Sequence, residues 1–278
     1  MPELPEVETV RSGLEMILAK RPTIKRVRLA RKDIRFLIPK DFVVSLEGQT
    51  ITGVRRRAKY LLIETAKVSL LSHLGMTGSW RIEAKDNLEA SIGPHDHCFI
   101  ELSDTRTLVY RDPRRFGVLD LLLPGEETTH LRLKALGPEP FDELTFNPDY
   151  LFALSRMRKV AIKVFLMDQR VVVGVGNIYA SEVLFRARIR PQKLAGKITK
   201  HEAARIVDSV RSILREAIKA GGSSIRDYKN AEGESGSFQQ THQVYERAKE
   251  PCRVCGRAIR SKVLGGRSTY WCPHCQKV

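Results

Sequence analysis

Along the first twenty residues, apolar positions recur at Val7, Val10, Leu14, Ile17 and Leu18, with Pro5 near the start and Glu6 and Glu8 in the opening turn. That three-to-four-residue spacing, with carboxylates where a helix dipole is positive, predicts a helix over 5–20. The pattern then changes. Short β-branched or aliphatic runs at 49–54, 60–65, 68–73, 98–102, 107–110 and 118–123 are separated by Gly, Pro, Asp and Asn, as strands are by turns. Their close spacing, with no helical stretch between them, predicts antiparallel β layers. Residues 136–143 hold one Gly and two Pro and read as a linker. Beyond them the period is helical over 150–158, 161–168, 177–188 and 199–220, the last closed by Gly221-Gly222. A Gly/Ser-rich stretch from 221 to 240 predicts a mobile loop. The fold class is therefore α+β, divided into a domain over 1–135, a linker over 136–148, a helical domain with its loop over 149–240, and a terminal module over 241–278.

Charge adds a partner to this picture. Lys and Arg number 48 against 32 Asp and Glu, a formal +16 on 278 residues, which points to a polyanion. With 42% hydrophobic and 29% charged residues, the chain is globular and not an intrinsically disordered acidic one. No apolar run approaches the roughly 20 residues of a membrane span. Glu3, Glu6, Glu8 and Glu15 interrupt any signal-peptide pattern, so a cytoplasmic location without membrane contact is expected. Cys252, Cys255, Cys272 and Cys275 are spaced C-x2-C-x16-C-x2-C. Two such knuckles bring four thiolates to one tetrahedral Zn²⁺. Cys98 stands alone and reads as a buried strand residue.

Several segments could carry chemistry. From Lys249 to Val278 seven basic residues face one acidic residue, Glu250, a surface suited to phosphate. Gly265-Gly266 between the cysteine pairs can form a tight hairpin turn, projecting Arg267 from its tip. Gly174-Val175-Gly176-Asn177 leads into a helix, but no glycine follows at Tyr179 to complete a dinucleotide motif. It offers either a phosphate site with Asn177 assisting or an Asn177 cap. Arg114, Arg115 and Phe116 follow Asp112-Pro113, and Met76 lies in His73-Leu74-Gly75-Met76-Thr77-Gly78; both Met76 and Phe116 suit either core packing or insertion among bases. The small second residue, Pro2, favours removal of Met1, leaving a secondary amine. An α-amine ordinarily titrates near 8 and is partly neutral at physiological pH. Attack on a sugar C1′ would give a cationic iminium, with Glu3 adjacent as acid or base. Carboxylates at a helix start equally serve the dipole.

Taken together and in order, Met1–Val10, Arg57–Leu62, His73–Met76, His95-Asp96-His97, Asp112–Gly117, Val173–Ser181 and Gly266–Cys272 closely resemble the bacterial formamidopyrimidine-DNA glycosylases. The resemblance implies an N-terminal antiparallel β-sandwich flanked by helices, then a helix-two-turn-helix domain with a C-terminal zinc finger, and damaged double-stranded DNA between them. It implies a monomer that excises 8-oxoguanine and formamidopyrimidines and then cleaves the abasic strand, with one structural Zn²⁺. Pro2 would be the nucleophile, Glu3 the proton donor, Lys59 the β-elimination residue and Arg267 the δ-elimination residue. His95, Arg114 and Lys159 would bind DNA, with Lys163, Asn177 and Arg267 placed for phosphate. Met76, Arg114 and Phe116 would fill the gap left by the extruded nucleotide. Two positions depart from the family pattern: Ser237 stands before Phe238 in place of a Tyr, and Glu246 stands in place of a Gly. The sister family, endonuclease VIII, has Gly where this chain has Leu4. A non-catalytic zinc-ribbon DNA-binding protein would account for the charge and cysteines but not for Pro2, Glu3, Lys59 and Arg267 together.

Overall fold

The computed structural model describes residues 1–84, 91–223 and 237–277. Among these, helix α1 (Leu4–Ile17) follows Glu3 as its cap; Glu3 and Glu6 close a capping box, and Leu4, Val7, Val10 and Leu14 form its buried side. Two four-stranded antiparallel sheets follow. One has the order β1 (Ile24–Leu29), β6 (Asp96–Leu102), β7 (Arg106–Arg111), β5 (Ser79–Ala84); the other is β2 (Ile51–Arg57), β3 (Tyr60–Thr65), β4 (Ser69–His73), β8 (Val118–Leu122). Leu61, Ile63 and Leu70 of the second sheet share one apolar core with Cys98, Ile100, Leu108 and Tyr110 of the first and with Val10 and Leu14 of α1. The short helix α2 (Phe42–Leu46) adds Phe42 and Leu46. Burial on this scale supplies the main driving force of the sandwich. Cys98 is fully buried, and burial pushes its thiol up to about 12, so it is a packing residue. Contacts divide the chain into two compact units, and this sandwich, 1–134, claims the described residues 221–223 as well.

The second unit holds helices α3 (Pro148–Ser155), α4 (Ile162–Met167), α5 (Asn177–Arg186) and α6 (Lys200–Lys219), and a hairpin of β9 (Arg260–Leu264) and β10 (Arg267–Trp271). In α6, Thr199 accepts from Glu202 N at 3.1 Å while Glu202 Oε2 accepts from Thr199 N at 2.8 Å. Both end-groups are thereby satisfied. Ala203, Ile206, Val207, Val210, Ile213, Leu214 and Ala217 make its buried face, the spacing the sequence carries. Gly221 and Gly222 follow at φ 74° and 81°, left-handed values that end the helix. Gly265 and Gly266 at φ 54° and 71° turn the hairpin, as expected. Glu246 has φ 60°; this left-handed backbone is where glycine is at ease, which accounts for the residue usual at that position. Ser237 N and Oγ both donate to Ala220 O, at 3.2 and 3.3 Å, and Phe238 packs on Tyr179. The loop expected to be mobile lies, over 224–236, outside the described residues. No helix among the described residues is long and apolar enough to cross a membrane.

Candidate active site and nucleic-acid interface

The start of the chain is held with unusual firmness. Pro2, Glu3 and Glu6 are all buried. Glu3 N donates to Glu6 Oε2 at 2.8 Å, and Ser223 N donates to Glu6 Oε1, also at 2.8 Å. A Cβ on Gly222 would approach Glu6 Oε1 to 3.0 Å, a tight contact at a backbone whose φ of 81° already favours glycine. Lys59 is buried in a two-residue turn between β2 and β3, where Arg57 pairs with Tyr60. Ala58, its partner in the turn, has φ 54°, a costly conformation for an L-residue with a Cβ. Arg56 braces this turn, donating from Nη1 to Ala58 O at 2.9 Å and from Nε to Glu8 Oε2 of α1 at 2.8 Å.

The two amines of this cluster are shifted by their surroundings. Burial lowers the amine at the N-terminus; Lys59 and Arg114 push it the same way, and Glu3 and Glu6 oppose them. Burial likewise lowers Lys59, against the attraction of Glu3 and Glu6. The result is a cluster in which two amines are kept closer to neutrality than free amines are, beside two carboxylates. His73, behind it, is pushed down to about 4, first by burial and then by Lys59. It stays neutral, and its Nδ1 accepts from Gly75 N at 3.0 Å.

Met76, Arg114 and Phe116 are exposed. Met76 lies between β4 and β5 and the other two between β7 and β8, with the Arg114 guanidinium 4.8 Å from the Phe116 ring centre. Both residues that could have been core are therefore on the surface. His95 is half-buried at the head of β6, its carbonyl accepting from Asp112 N at 3.0 Å.

In the helical unit, Lys159 lies in an exposed run with Arg156 and Arg158. Gly176, not Asn177, caps α5, so the capping alternative for Asn177 falls away. Its Oδ1 accepts from Lys163 Nζ at 2.6 Å. Lys163 is fully buried and also donates to Ser268 O and Thr269 Oγ1, both at 2.9 Å. An ammonium has three protons, and each has an acceptor within the protein. Through these bonds Lys163 orients Asn177 and the hairpin strand. Arg267 begins β10 at the exposed tip. The sequence reading missed Glu182, buried on α5, whose carboxylate accepts from Gln243, Val244 and Tyr245 N at 2.9, 3.0 and 2.9 Å. No pattern in the sequence marks it, and burial raises it.

The four cysteine sulfurs of the terminal module lie within 4.8 Å of one another. Cys252 and Cys275 are 3.9 Å apart, Cys255 and Cys272 3.4 Å. A tetrahedron with Zn–S of about 2.3 Å has edges of roughly 3.8 Å, so the donors fit Zn²⁺ in number, chemistry and spacing. Such a site is closed and structural, holding the hairpin that carries Arg267.

A partly buried terminal amine and a buried lysine among carboxylates, on a sandwich, together with a basic helical unit ending in a four-cysteine zinc finger, are the features of a zinc-finger enzyme of nucleic acids. Residues 1–119 match the formamidopyrimidine-DNA glycosylase N-terminal domain, 136–229 the H2TH domain of the same enzymes, and 249–278 the zinc finger found in FPG and IleRS. The formamidopyrimidine-DNA glycosylase of Bdellovibrio bacteriovorus is 51% identical over 277 residues, covering 100% of both chains. Two solved structures are similar throughout: MutM in complex with DNA containing carbocyclic 8-oxo-G (36% identity, TM-score 0.88, 100% of each chain), and the Lactococcus lactis enzyme with DNA containing FAPY-dG (35%, TM-score 0.88, 99% of this chain and 100% of that one). The chain belongs to the formamidopyrimidine-DNA glycosylase family.

Proposed function

We propose that this chain excises 8-oxoguanine and formamidopyrimidines from duplex DNA and cleaves the strand at the resulting abasic site, working as a monomer in the bacterial cytoplasm. The observation that carries the chemistry is the N-terminal amine, lowered by burial and by Lys59 and flanked by Glu3 and Glu6. Removal of Met1 leaves the nitrogen of Pro2, a buried residue, as the terminal amine beside these groups. Its lone pair attacks C1′ as the bond from C1′ to the damaged base breaks, the base leaving with the proton the amine gives up. The C1′–O4′ bond of the sugar then opens, Glu3 supplies the proton that O4′ takes up, and the nitrogen lone pair closes a C1′=N iminium, cationic without further protonation, which acidifies the C2′ hydrogens. Lys59, depressed by burial and so available as a base, serves removal of that proton, and the 3′ phosphate leaves. Arg267 at the hairpin tip serves the second elimination, which releases the 5′ phosphate.

A base inside a duplex has to leave the stack before an amine can reach its sugar. Met76, Arg114 and Phe116 fill the space it vacates; their exposure on a basic surface supports this role. His95, Lys159, Asn177 and Arg267 meet the backbone, and Lys163 acts through Asn177. Borohydride trapping tests the reading on duplexes carrying 8-oxoguanine opposite cytosine, with dihydrouracil and undamaged duplexes alongside, after mass spectrometry has confirmed loss of Met1. Faster adduct formation on 8-oxoguanine is expected. An N-terminal extension that turns the Pro2 nitrogen into an amide should abolish the adduct. Preferential trapping on dihydrouracil would move the chain to the pyrimidine-directed branch, and tight binding without any adduct would leave a binding protein.

A further inference from the structure

The two turns that carry Met76 and Phe116 each cross from one sheet of the sandwich to the other: β4 and β8 belong to one sheet, β5 and β7 to the second. They are far apart in sequence, yet their backbones touch. A Cβ on Gly75 would lie 2.4 Å from the carbonyl carbon of Phe116 and 2.5 Å from Gly117 N. Between them sits Asp112, fully buried just past the end of β7. Its Oδ1 accepts from Thr77 Oγ1 at 2.7 Å, and its Oδ2 accepts from Gly117 N at 2.7 Å. Thr77 Oγ1 in turn accepts from Arg114 N at 3.2 Å. A hydroxyl donates once and can accept as well, so Thr77 serves both neighbours at once. Asp112 N, finally, donates to His95 O.

A buried carboxylate is costly unless bonded, and here both oxygens are directed at the backbone or side chains of the two turns. We propose that Thr77 and Asp112 are positioning residues that crosslink the Met76 turn to the Arg114–Phe116 turn, so that the three side chains enter the base stack as one rigid wedge. The proposal rests on the void-filling reading given above. Unstacking a base step opposes insertion; two independently mobile turns would each lose conformational freedom at that moment, whereas a crosslinked pair has already lost it.

Thr77→Val tests this, since it keeps the side-chain shape and removes both hydroxyl bonds; Thr77→Ser restores them. Two rates are compared: single-turnover release of 8-oxoguanine from duplex, and borohydride trapping on a single-stranded abasic oligonucleotide, which has no stack to enter. Thr77→Val should be roughly ten-fold slower on duplex, unchanged on the single strand, and Thr77→Ser should recover. Met76→Ala and Phe116→Ala are measured in parallel. If they slow duplex release while Thr77→Val does not, the crosslink is overturned and the wedge stands. If neither they nor Thr77→Val slow it, the void-filling reading itself falls. Equal slowing of Thr77→Val on both substrates would overturn the proposal by assigning the loss to folding or chemistry.

Discussion

Replacing Lys163 by Met retains a long unbranched side chain and removes the ammonium, which among the described residues makes bonds of 2.6, 2.9 and 2.9 Å. Hydrogen bonds to a charged group contribute about 1.5–3 kcal/mol each, so three represent roughly 4–9 kcal/mol. Relief from burying an ammonium offsets several kcal/mol of that, while Asn177 Oδ1 and Thr269 Oγ1 lose a donor. A net destabilisation of roughly 3 kcal/mol is expected, or about 5–12 °C in Tm for a chain of this size. Urea unfolding at fixed pH measures it, with an unchanged m-value showing that the same surface is exposed. A second reading separates strut from ligand. A lysine on a DNA phosphate contributes about 0.9 to the slope of log K against log salt, and a strut contributes none of its own. Lys163→Met should therefore weaken DNA binding while leaving the slope as it was. Undiminished stability with a slope flattened by about 0.9 would refute the reasoning and return Lys163 to the phosphate.

Other outcomes follow from the same geometry. Cys255→Ser should release Zn²⁺, read by elemental analysis, and weaken duplex binding; unchanged affinity would show that the finger does not hold DNA. His242, packed edge-to-face between Phe238 and Tyr245, is lowered from 6.5 to about 4, first by burial and then by Arg253. Above pH 6.5 it is neutral in both states. As pH falls from 6.5 to 4 the unfolded chain takes up a proton that the folded chain refuses, so stability falls across that window, by up to roughly 3 kcal/mol. His242→Phe should remove this part of the acid sensitivity, seen as a shallower decline of the urea midpoint between pH 6.5 and 4; an identical decline would exclude His242 as its source.

What could be read from the sequence was whatever depends on local pattern. The four cysteines, the Gly265-Gly266 turn, the amphipathic run of α6 and the strand at Tyr60–Thr65 each announce themselves within a short window. The strands Ile24–Leu29 and Ser79–Ala84 did not, because Lys25, Arg26, Arg28 and Arg81 dilute the apolar pattern that burial in a sandwich selects. The structural role of Lys163 was hidden for a different reason. A lysine in a basic protein looks like a phosphate ligand, and only the three-dimensional neighbourhood of Ser268 and Thr269, more than a hundred residues away, shows its protons engaged. Glu182 was invisible likewise, since its partners are backbone amides, which carry no residue-type signature.

The bond from Ser223 N to Glu6 spans 217 residues. During synthesis the first turn of α1 leaves the ribosome first, and its Glu6 carboxylate waits for an amide that is translated near the end. With Glu3 N already bonded to its other oxygen, that carboxylate is only half engaged until most of the chain exists. A nascent or truncated product ending in the sandwich would possess Pro2, Glu3, Glu6 and Lys59 and still lack this contact. The first helix of the chain is thus completed by one of the later residues to be made.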